Sequence, residues 1–130
     1  MHRKKDLSQL VIEALVPSIR LDLLPKSTID IYITVLENDG TASCLAAAIT
    51  CASVAVADAG IEMLDLVPAS SAIYMDSDLV EEQHETGYLI LSYMPSLKEV
   101  THILQSGDVD LALATQVRIS ITVMDVSDIS

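Results

Sequence analysis

The feature that most constrains the fold is the run TASCLAAAITCASVAVA, residues 41–57, which contains no charge and no aromatic ring. Small and aliphatic residues fill every side of it, and a helix that is apolar all round is normally buried in a core. Asp58 ends the run, and Gly60 is typical of the residue that closes a helix. The sequence therefore predicts a buried central helix over about residues 43–59.

Chemistry on this helix would have to come from its few polar side chains. Thr50 and Cys51 are the candidates, but neither has a nearby sequence partner that would activate it. On one helix, Cys44 and Cys51 would lie roughly 10 Å apart, which is too far for a disulfide. Two free thiols are typical of a reducing compartment. No zinc spacing is present, so we predict no metal ligands and no cofactor.

Charge and length limit the partners of the chain. Its 130 residues suit one compact domain. The 19 acidic and 7 basic residues give a formal charge of −12, which would repel a phosphate backbone, so direct non-specific binding of nucleic acid is not expected. The apolar residues 44–57 are fewer than the about 20 that span a bilayer, so we predict no membrane association.

The first third of the chain predicts a helix and a strand. Asp6 resembles a capping residue, and the apolar residues after it recur with helical spacing up to Pro17. Residues 28–36, TIDIYITVL, alternate between β-branched and polar side chains, which predicts a half-buried strand. The helical stripe consists of Leu7, Leu10, Val11, Ala14 and Leu15.

The rest of the chain predicts a meander. We expect strands over residues 64–75, 88–94 and 99–105, with an acidic loop over 76–87 and a turn at Pro95 and Ser96. A helix is predicted near residues 109–118, and the residues from 117 onward are ambiguous. The fold class is therefore α+β, with a mostly antiparallel sheet packed on a buried Ala-rich helix.

The segment VLENDGTASCLAAAITCASVAVADAGIEMLDLV, residues 35–67, resembles the second half of the RNase PH domain, a fold similar to domain 2 of ribosomal protein S5. The resemblance continues through MDSDLVEE to YLILSYMPSLKEVTHILQSG and covers about residues 7–118. It implies that residues 1–130 form a single partial RNase PH-like domain without the N-terminal half, with a divergent tail over 119–130. EALVPSIRLDLLPKS and DAGIEMLDLV resemble eukaryotic RNA exosome ring subunits of the mRNA-transport-regulator-three, or exosome component six, type.

The resemblance implies a phosphate-binding position just before the central helix. Phosphorolytic members of the family cleave RNA from its 3′ end with inorganic phosphate, and an arginine in this position suits that anion because its planar fork binds phosphate with two hydrogen bonds. Here the position falls on Leu45, or on Cys44 or Ala46 if the register slips by one residue. None of these side chains can bind phosphate, so no phosphate-binding residue is predicted.

The resemblance also implies two acids six residues apart, which support a metal ion or act as general acid. The first falls on Glu82, and the second falls on Tyr88, or on Gly87 if the loop shifts. Glu85 lies three residues from Glu82, which is the wrong spacing. We therefore predict no catalytic residues and assign no RNA-binding residues. A solvated loop, or a contact surface for a basic partner, would account for Asp76, Asp78, Glu81 and Glu82.

The function implied is that of a non-catalytic structural subunit of the exosome core ring, supporting 3′→5′ processing and degradation of RNA, including rRNA. Its partners would be other RNase PH-like ring subunits and cap subunits, and RNA would be contacted only through the ring. The expected locations are the nucleus, the nucleolus and the cytoplasm. Two alternatives stay open: an active phosphate-dependent 3′→5′ exoribonuclease, and a generic α+β protein-interaction module. Half of a domain should also expose an apolar sheet face and self-associate.

Overall fold

The computed structural model describes residues 2–38, 40–75 and 85–107 of the chain. Within these residues, two helices pack on a three-stranded antiparallel sheet, which confirms the predicted α+β class. The predicted helix at 109–118, the tail and most of the acidic loop lie outside the described residues. The elements are α1 (His2–Leu15), a 3₁₀ turn (Leu21–Leu23), α2 (Thr41–Asp58), β1 (Ala69–Met75), β2 (Glu85–Met94) and β3 (Glu99–Gly107).

Helix α1 begins at His2, earlier than the Asp6 predicted, but its apolar stripe is as expected. Val11, Ala14 and Leu15 are buried, and Leu7 and Leu10 pack against the same core. The helix ends at Leu15, two residues before the proline that would disrupt a continuing helix. Burial of this stripe against α2 and β3 fixes the position of α1.

Helix α2 forms where it was predicted, but the prediction that all of its faces are buried is wrong. Residues of the opposite face, including Ala47, Cys51 and Val54, are exposed because the described elements cover only one side. By length and composition α2 could cross a membrane, contrary to the prediction that the run is too short, and helices in the cores of soluble proteins pass the same test. The buried side consists of Ala42, Leu45, Ala46, Ile49, Ala52, Ser53 and Val56.

The end of α2 has the geometry that its sequence indicates. Gly60 has a φ of 77°, in the left-handed region that glycine adopts without a steric penalty. The N–H of Ile61 donates to the carbonyl of Val56 at 3.3 Å, and the N–H of Gly60 donates to that of Ala57 at 3.1 Å. These two bonds constitute a Schellman motif, so the predicted helix end is confirmed.

The sheet has the order β1-β2-β3 and antiparallel pairing throughout, as predicted for a meander. Strand β1 starts at Ala69, later than the predicted residue 64, because the preceding residues pair with the loop after α1. The N–H of Leu64 donates to the carbonyl of Ser18 at 2.7 Å, and Ile19 forms an isolated bridge with Met63. The loop therefore holds residues 62–64 away from the sheet.

The central strand β2 is buried on both faces, so the apolar sheet face that was expected to be exposed is covered at this strand. Large exposed apolar side chains lie instead on the edge strands, on the outer side of α2 and along residues 28–36. The buried residues of β2 are Leu89, Leu91 and Tyr93 on one face and Ile90, Ser92 and Met94 on the other.

The predicted strand at residues 28–36 is not formed. The segment is irregular, and it makes no backbone–backbone hydrogen bond with any other residue that the structure describes. The predicted alternation is present only in part. Tyr32 is 90% exposed whereas the adjacent Ile31 is 37% exposed, but Asp30 and Thr34, predicted to face outward, line the same hollows as the isoleucines. A strand also requires a neighbouring backbone with which to pair.

Candidate functional site

The candidate site is a hollow at the first turns of α2, where the resemblance places the phosphate-binding arginine. Its walls come from α1, from α2 and from the chain between them. None of the described residues that line it carries a charged side chain. They are Leu7, Ser8, Val11, Ile33, Thr34, Val35, Asn38, Thr41, Cys44, Leu45 and Ala48.

The backbone N–H groups at the start of α2 attract anions only weakly. Gly40 is the N-cap and has no side-chain cap bond, while its own N–H donates to Asn38 Oδ1 at 2.9 Å. The N–H of Cys44 makes the first helical bond, to the carbonyl of Gly40 at 3.0 Å, so the earlier amides have no partner within the helix. A helix N-terminus supplies about half a unit of positive charge, which is less than one phosphate carries.

Leu45, the position of the family's arginine, lies in the hydrophobic core with 5% of its surface exposed. It belongs to the same cluster as Val11 and Ile49. The alternative registers also lack a cation, since Ala46 is buried and Cys44 is a half-buried free thiol. A charged group at position 45 would have to leave the core or lose its hydration there.

Tyr88, the position of the family's second acid, also packs against this core from strand β2. It pairs with Ile73 of β1 and with Ser106 of β3. Gly87, the alternative position, is buried between the same two strands. The structure therefore brings positions 45 and 88 to one apolar cluster. Glu85 is the first residue of β2, whereas Asp76, Asp78, Glu81 and Glu82 lie outside the described residues.

The hydroxyl groups on α2 hold the start of β1. Thr50 Oγ1 donates to the carbonyl of Ala46 at 3.1 Å and accepts the N–H of Ala69 at 3.0 Å. Ser53 Oγ accepts the N–H of Val67 at 2.7 Å. The Thr50 hydroxyl therefore has a structural role, because it joins the backbone of α2 to the first residue of β1. Ser53 was missed, although its place three residues after Thr50 in an apolar helix was a usable signal.

Asp65 joins the loop before β1 to the turn between β2 and β3. Its carboxylate accepts the N–H of Ser96 at 2.7 Å and the N–H of Leu66 at 2.8 Å. The buried Ser18 hydroxyl donates to the backbone carbonyl of Asp65. Asp65 therefore holds these loops together through its carboxylate and its backbone carbonyl. No group of three His, Cys, Asp or Glu side chains in the described part of the chain could hold a metal ion.

Arg20 is bound to an acid of its own loop. Its Nε donates to Asp22 Oδ1 at 3.1 Å and its Nη2 to Asp22 Oδ2 at 3.0 Å. The side-chain hydrogen bonds, and then the attraction between the charges, raise the pKa of Arg20; the hydrogen bonds also lower the pKa of Asp22. Arg20 does not line the hollow at α2, so the pair supplies no cation there.

Comparison with known proteins decides the family. The sequence profile of the RNase PH family, described as 3′ exoribonuclease family, domain 1, matches residues 2–62. Exosome complex component mtr3 of Schizosaccharomyces pombe is 44% identical over 114 residues, which cover 80% of this chain and 44% of that protein. The chain belongs to the RNase PH family. In this family member the matched range contains α1, α2 and the hollow between them.

Other relatives of this RNase PH-family chain are also named as exosome complex components. Exosome complex component MTR3 of Mus musculus is 37% identical over 113 residues, covering 80% of this chain and 41% of that protein. Exosome complex component Rrp41 of Cenarchaeum symbiosum is 40% identical over 111 residues, covering 81% and 45%. The chain thus spans less than half the length of these relatives.

Proposed function

We propose that the chain serves as a non-catalytic subunit of the RNA exosome core ring and supports 3′→5′ processing and degradation of RNA. The relatives named as exosome components in fission yeast and mouse align over 80% of this chain, which favours the same assembly. The observation that carries the non-catalytic role is the uncharged lining of the hollow at α2.

A phosphorolytic site must hold two negatively charged groups close together. Inorganic phosphate and the scissile phosphodiester are both anions, and their mutual repulsion has to be offset by cationic donors placed in advance. Leu45 and Tyr88 instead add apolar surface to the core at two positions where the active pattern has a charged group. Loss of a single such group usually lowers the rate by orders of magnitude.

The partners follow from the proposed assembly. Other RNase PH-like ring subunits, together with cap subunits, would hold the chain in place. RNA would be contacted through the assembled ring, in agreement with the formal charge of −12, which opposes direct binding of a polyanion by this chain. The sites of action would be the nucleus, the nucleolus and the cytoplasm.

Co-expression tests the proposed assembly. The chain would be tagged and expressed with the RNase PH-like exosome subunits of the same organism, and the complex isolated by affinity and size-exclusion chromatography. We expect at least one ring subunit to co-elute with the chain in a constant ratio. The control is the same set of subunits expressed with an unrelated acidic protein of similar size. If a folded chain retains no ring subunit, the proposal is wrong.

An active phosphate-dependent exoribonuclease is the second candidate, because the matching family is described as a 3′ exoribonuclease family. The assay incubates the chain, alone and with its co-purified subunits, with polyadenylate and inorganic phosphate. We expect no nucleoside diphosphate that depends on this chain. Release that disappears in a Glu82→Gln variant with an unchanged thermal transition would instead assign catalysis to the chain. Family membership by sequence argues against the third alternative, a generic interaction module.

A further inference from the structure

Helix α1 and strand β3 meet at a histidine and a glutamate. His102 Nε2 lies 3.7 Å from Glu13 Oε2, which is close enough for an ion pair but too long for a hydrogen bond. This nitrogen is buried, and it forms no hydrogen bond with any residue that the structure describes. Because buried polar atoms are nearly always hydrogen-bonded, Nε2 is a position at which a change of protonation state can add a bond.

Both side chains are held in place by neighbours on their own side of the contact. Gln9, one turn earlier on α1, donates from Nε2 to Glu13 Oε1 at 3.4 Å, and the other carboxylate oxygen is the one nearest to His102. On the sheet, the hydroxyl of the buried Ser92 donates to the backbone carbonyl of His102 at 3.2 Å. The histidine and the glutamate are therefore near each other whether or not the imidazole is charged.

The elements that pack against His102 bring no second charge to it in the described part of the chain. β2 places the uncharged Ser92 opposite it, and Leu104, two residues along β3 on the same face, packs against the core. The residues of α1 beside Glu13 that face the core are Leu10 and Ala14. Glu13 is therefore the titratable group that determines what a proton on this histidine meets.

We propose that His102 and Glu13 form a pH-dependent ion pair that holds α1 to β3. Uptake of a proton from solvent gives both ring nitrogens an N–H, so Nε2 can donate to the Glu13 carboxylate and the two charges are paired. Release of the proton leaves a neutral ring, whose buried Nε2 offers the carboxylate only a weaker N–H or a repelling lone pair. Histidine is the side chain that normally makes this change between about pH 5 and 8.

The ion pair determines the direction of the pH dependence. It exists only while His102 is protonated and Glu13 is ionised, so its stabilisation is present in mildly acid solution. The stabilisation is lost as the pH rises and the imidazole releases its proton, and it is also lost in strong acid, where the carboxylate is protonated. The Glu13 side chain is 46% exposed, so solvent screens the pair and the effect is modest.

The first test compares thermal unfolding of the full chain and of Glu13→Gln at about pH 6 and about pH 8. The variant should unfold about 1–4 °C below the natural chain at the lower pH and at nearly the same temperature at the higher pH. Glu37→Gln removes the same charge from an exposed residue before α2 and should show no such difference between the two conditions. An effect of Glu13→Gln that is equal at both pH values would overturn the proposal.

The second test changes the partner of Glu13. In a His102→Lys background the cation is retained at both pH values, so Glu13→Gln should have the same effect at each. In a His102→Gln background no cation is present, and Glu13→Gln should have little effect at either. If the Glu13 effect still grows in acid without the histidine, another group is responsible and the proposal is wrong.

Hydrogen exchange gives a local readout that needs only the natural chain and Glu13→Gln. Loosening of one helix raises the exchange rate of its own amides, whereas a general loss of stability raises the rate throughout the core. Relative to the natural chain under the same conditions, Glu13→Gln should lose protection in α1 at about pH 6 and much less at about pH 8. A loss confined to other elements, or no loss in α1 at either pH, would contradict the assignment of this contact.

Discussion

Strand β2 and residues 28–36 have similar sequences and opposite structural outcomes. Both are rich in aliphatic side chains and contain threonine and tyrosine, and both were predicted to be strands. β2 pairs with β1 and β3 and is buried on both faces, whereas residues 28–36 pair with no described residue. The difference lies in which elements come before and after each segment in the chain. In the meander, β2 is preceded and followed by a strand, whereas residues 28–36 are preceded and followed by helices.

The largest expected effect tests this difference with one substitution made in both regions. Ile90→Ala in β2 removes a side chain that is 2% exposed and packs in the core, and should lower the free energy of unfolding by about 2–5 kcal/mol. Ile33→Ala in the exposed segment, where the side chain is 44% exposed, should cost less than about 1 kcal/mol. Denaturant unfolding of both variants measures the two changes.

The natural chain and Ile90→Val, which retains most of the buried volume, are the controls for this pair of variants. The comparison fails if Ile33→Ala is as destabilising as Ile90→Ala. That result would mean that residues 28–36 are packed as firmly as the sheet. Measurements at several protein concentrations separate this outcome from self-association, because association makes the unfolding midpoint depend on protein concentration.

The next effect concerns how firmly the sheet region is joined to α2. Ser53→Ala deletes the hydroxyl that accepts the buried N–H of Val67, leaving that N–H without its bond, and should cost about 1–3 kcal/mol. Faster hydrogen exchange at the Val67 amide would identify the lost bond. Ser43→Ala, on the exposed side of the same helix, should change the unfolding free energy little. Equal effects at the two serines would mean that helix propensity, and not this bond, is being measured.

A smaller effect is expected at the end of α2, where backbone conformation alone is tested. Gly60→Ala places a side chain on a residue with a φ of 77° and open space around it, so the cost is conformational and should be about 1–2 kcal/mol. Gly40 also has open space, but its φ of 165° is extended backbone that any residue adopts. Gly40→Ala should therefore be nearly neutral. Thermal unfolding of the two variants would show a downward shift for Gly60→Ala only.

The sequence predicted the parts of this fold that depend on neighbours in the chain. Periodicity located the buried stripe of α1, the glycine marked the end of α2, and the turn residues separated β2 from β3. It failed where burial depends on distant parts. The composition of residues 41–57 indicates an apolar helix but cannot show which of its faces another element covers, and one face of α2 is exposed.

The candidate site was predictable only in part, for a similar reason. The resemblance placed the family's arginine position on Leu45 at the start of α2 and its second acid position on Tyr88. It could not show that both side chains pack in one apolar cluster, because they are distant in sequence. The contacts of Ser53 with Val67 also depend on where β1 crosses the helix, which no local pattern specifies.

The smallest expected effect lies in the exposed loop that leads to residues 28–36. The bonds from Arg20 lower the pKa of Asp22 in the folded chain, so this pair stabilises the fold above the pKa of the carboxyl in the unfolded chain. The stabilisation is lost as the pH falls through the folded-state pKa, where the acid becomes protonated. Asp22→Asn should therefore be slightly less stable than the natural chain near neutral pH and equal to it in strong acid.

Salt provides the control for this last comparison, because both side chains of the pair are solvated. Raising the ionic strength should shrink the small difference between Asp22→Asn and the natural chain at neutral pH. The difference should also stay below that of Ser53→Ala, because the amide bound by Ser53 is buried and has no water to replace its partner. A salt-independent loss as large as the one at Ser53 would show that the Arg20 loop is held as firmly as the sheet, and the contrast between the two regions would no longer hold.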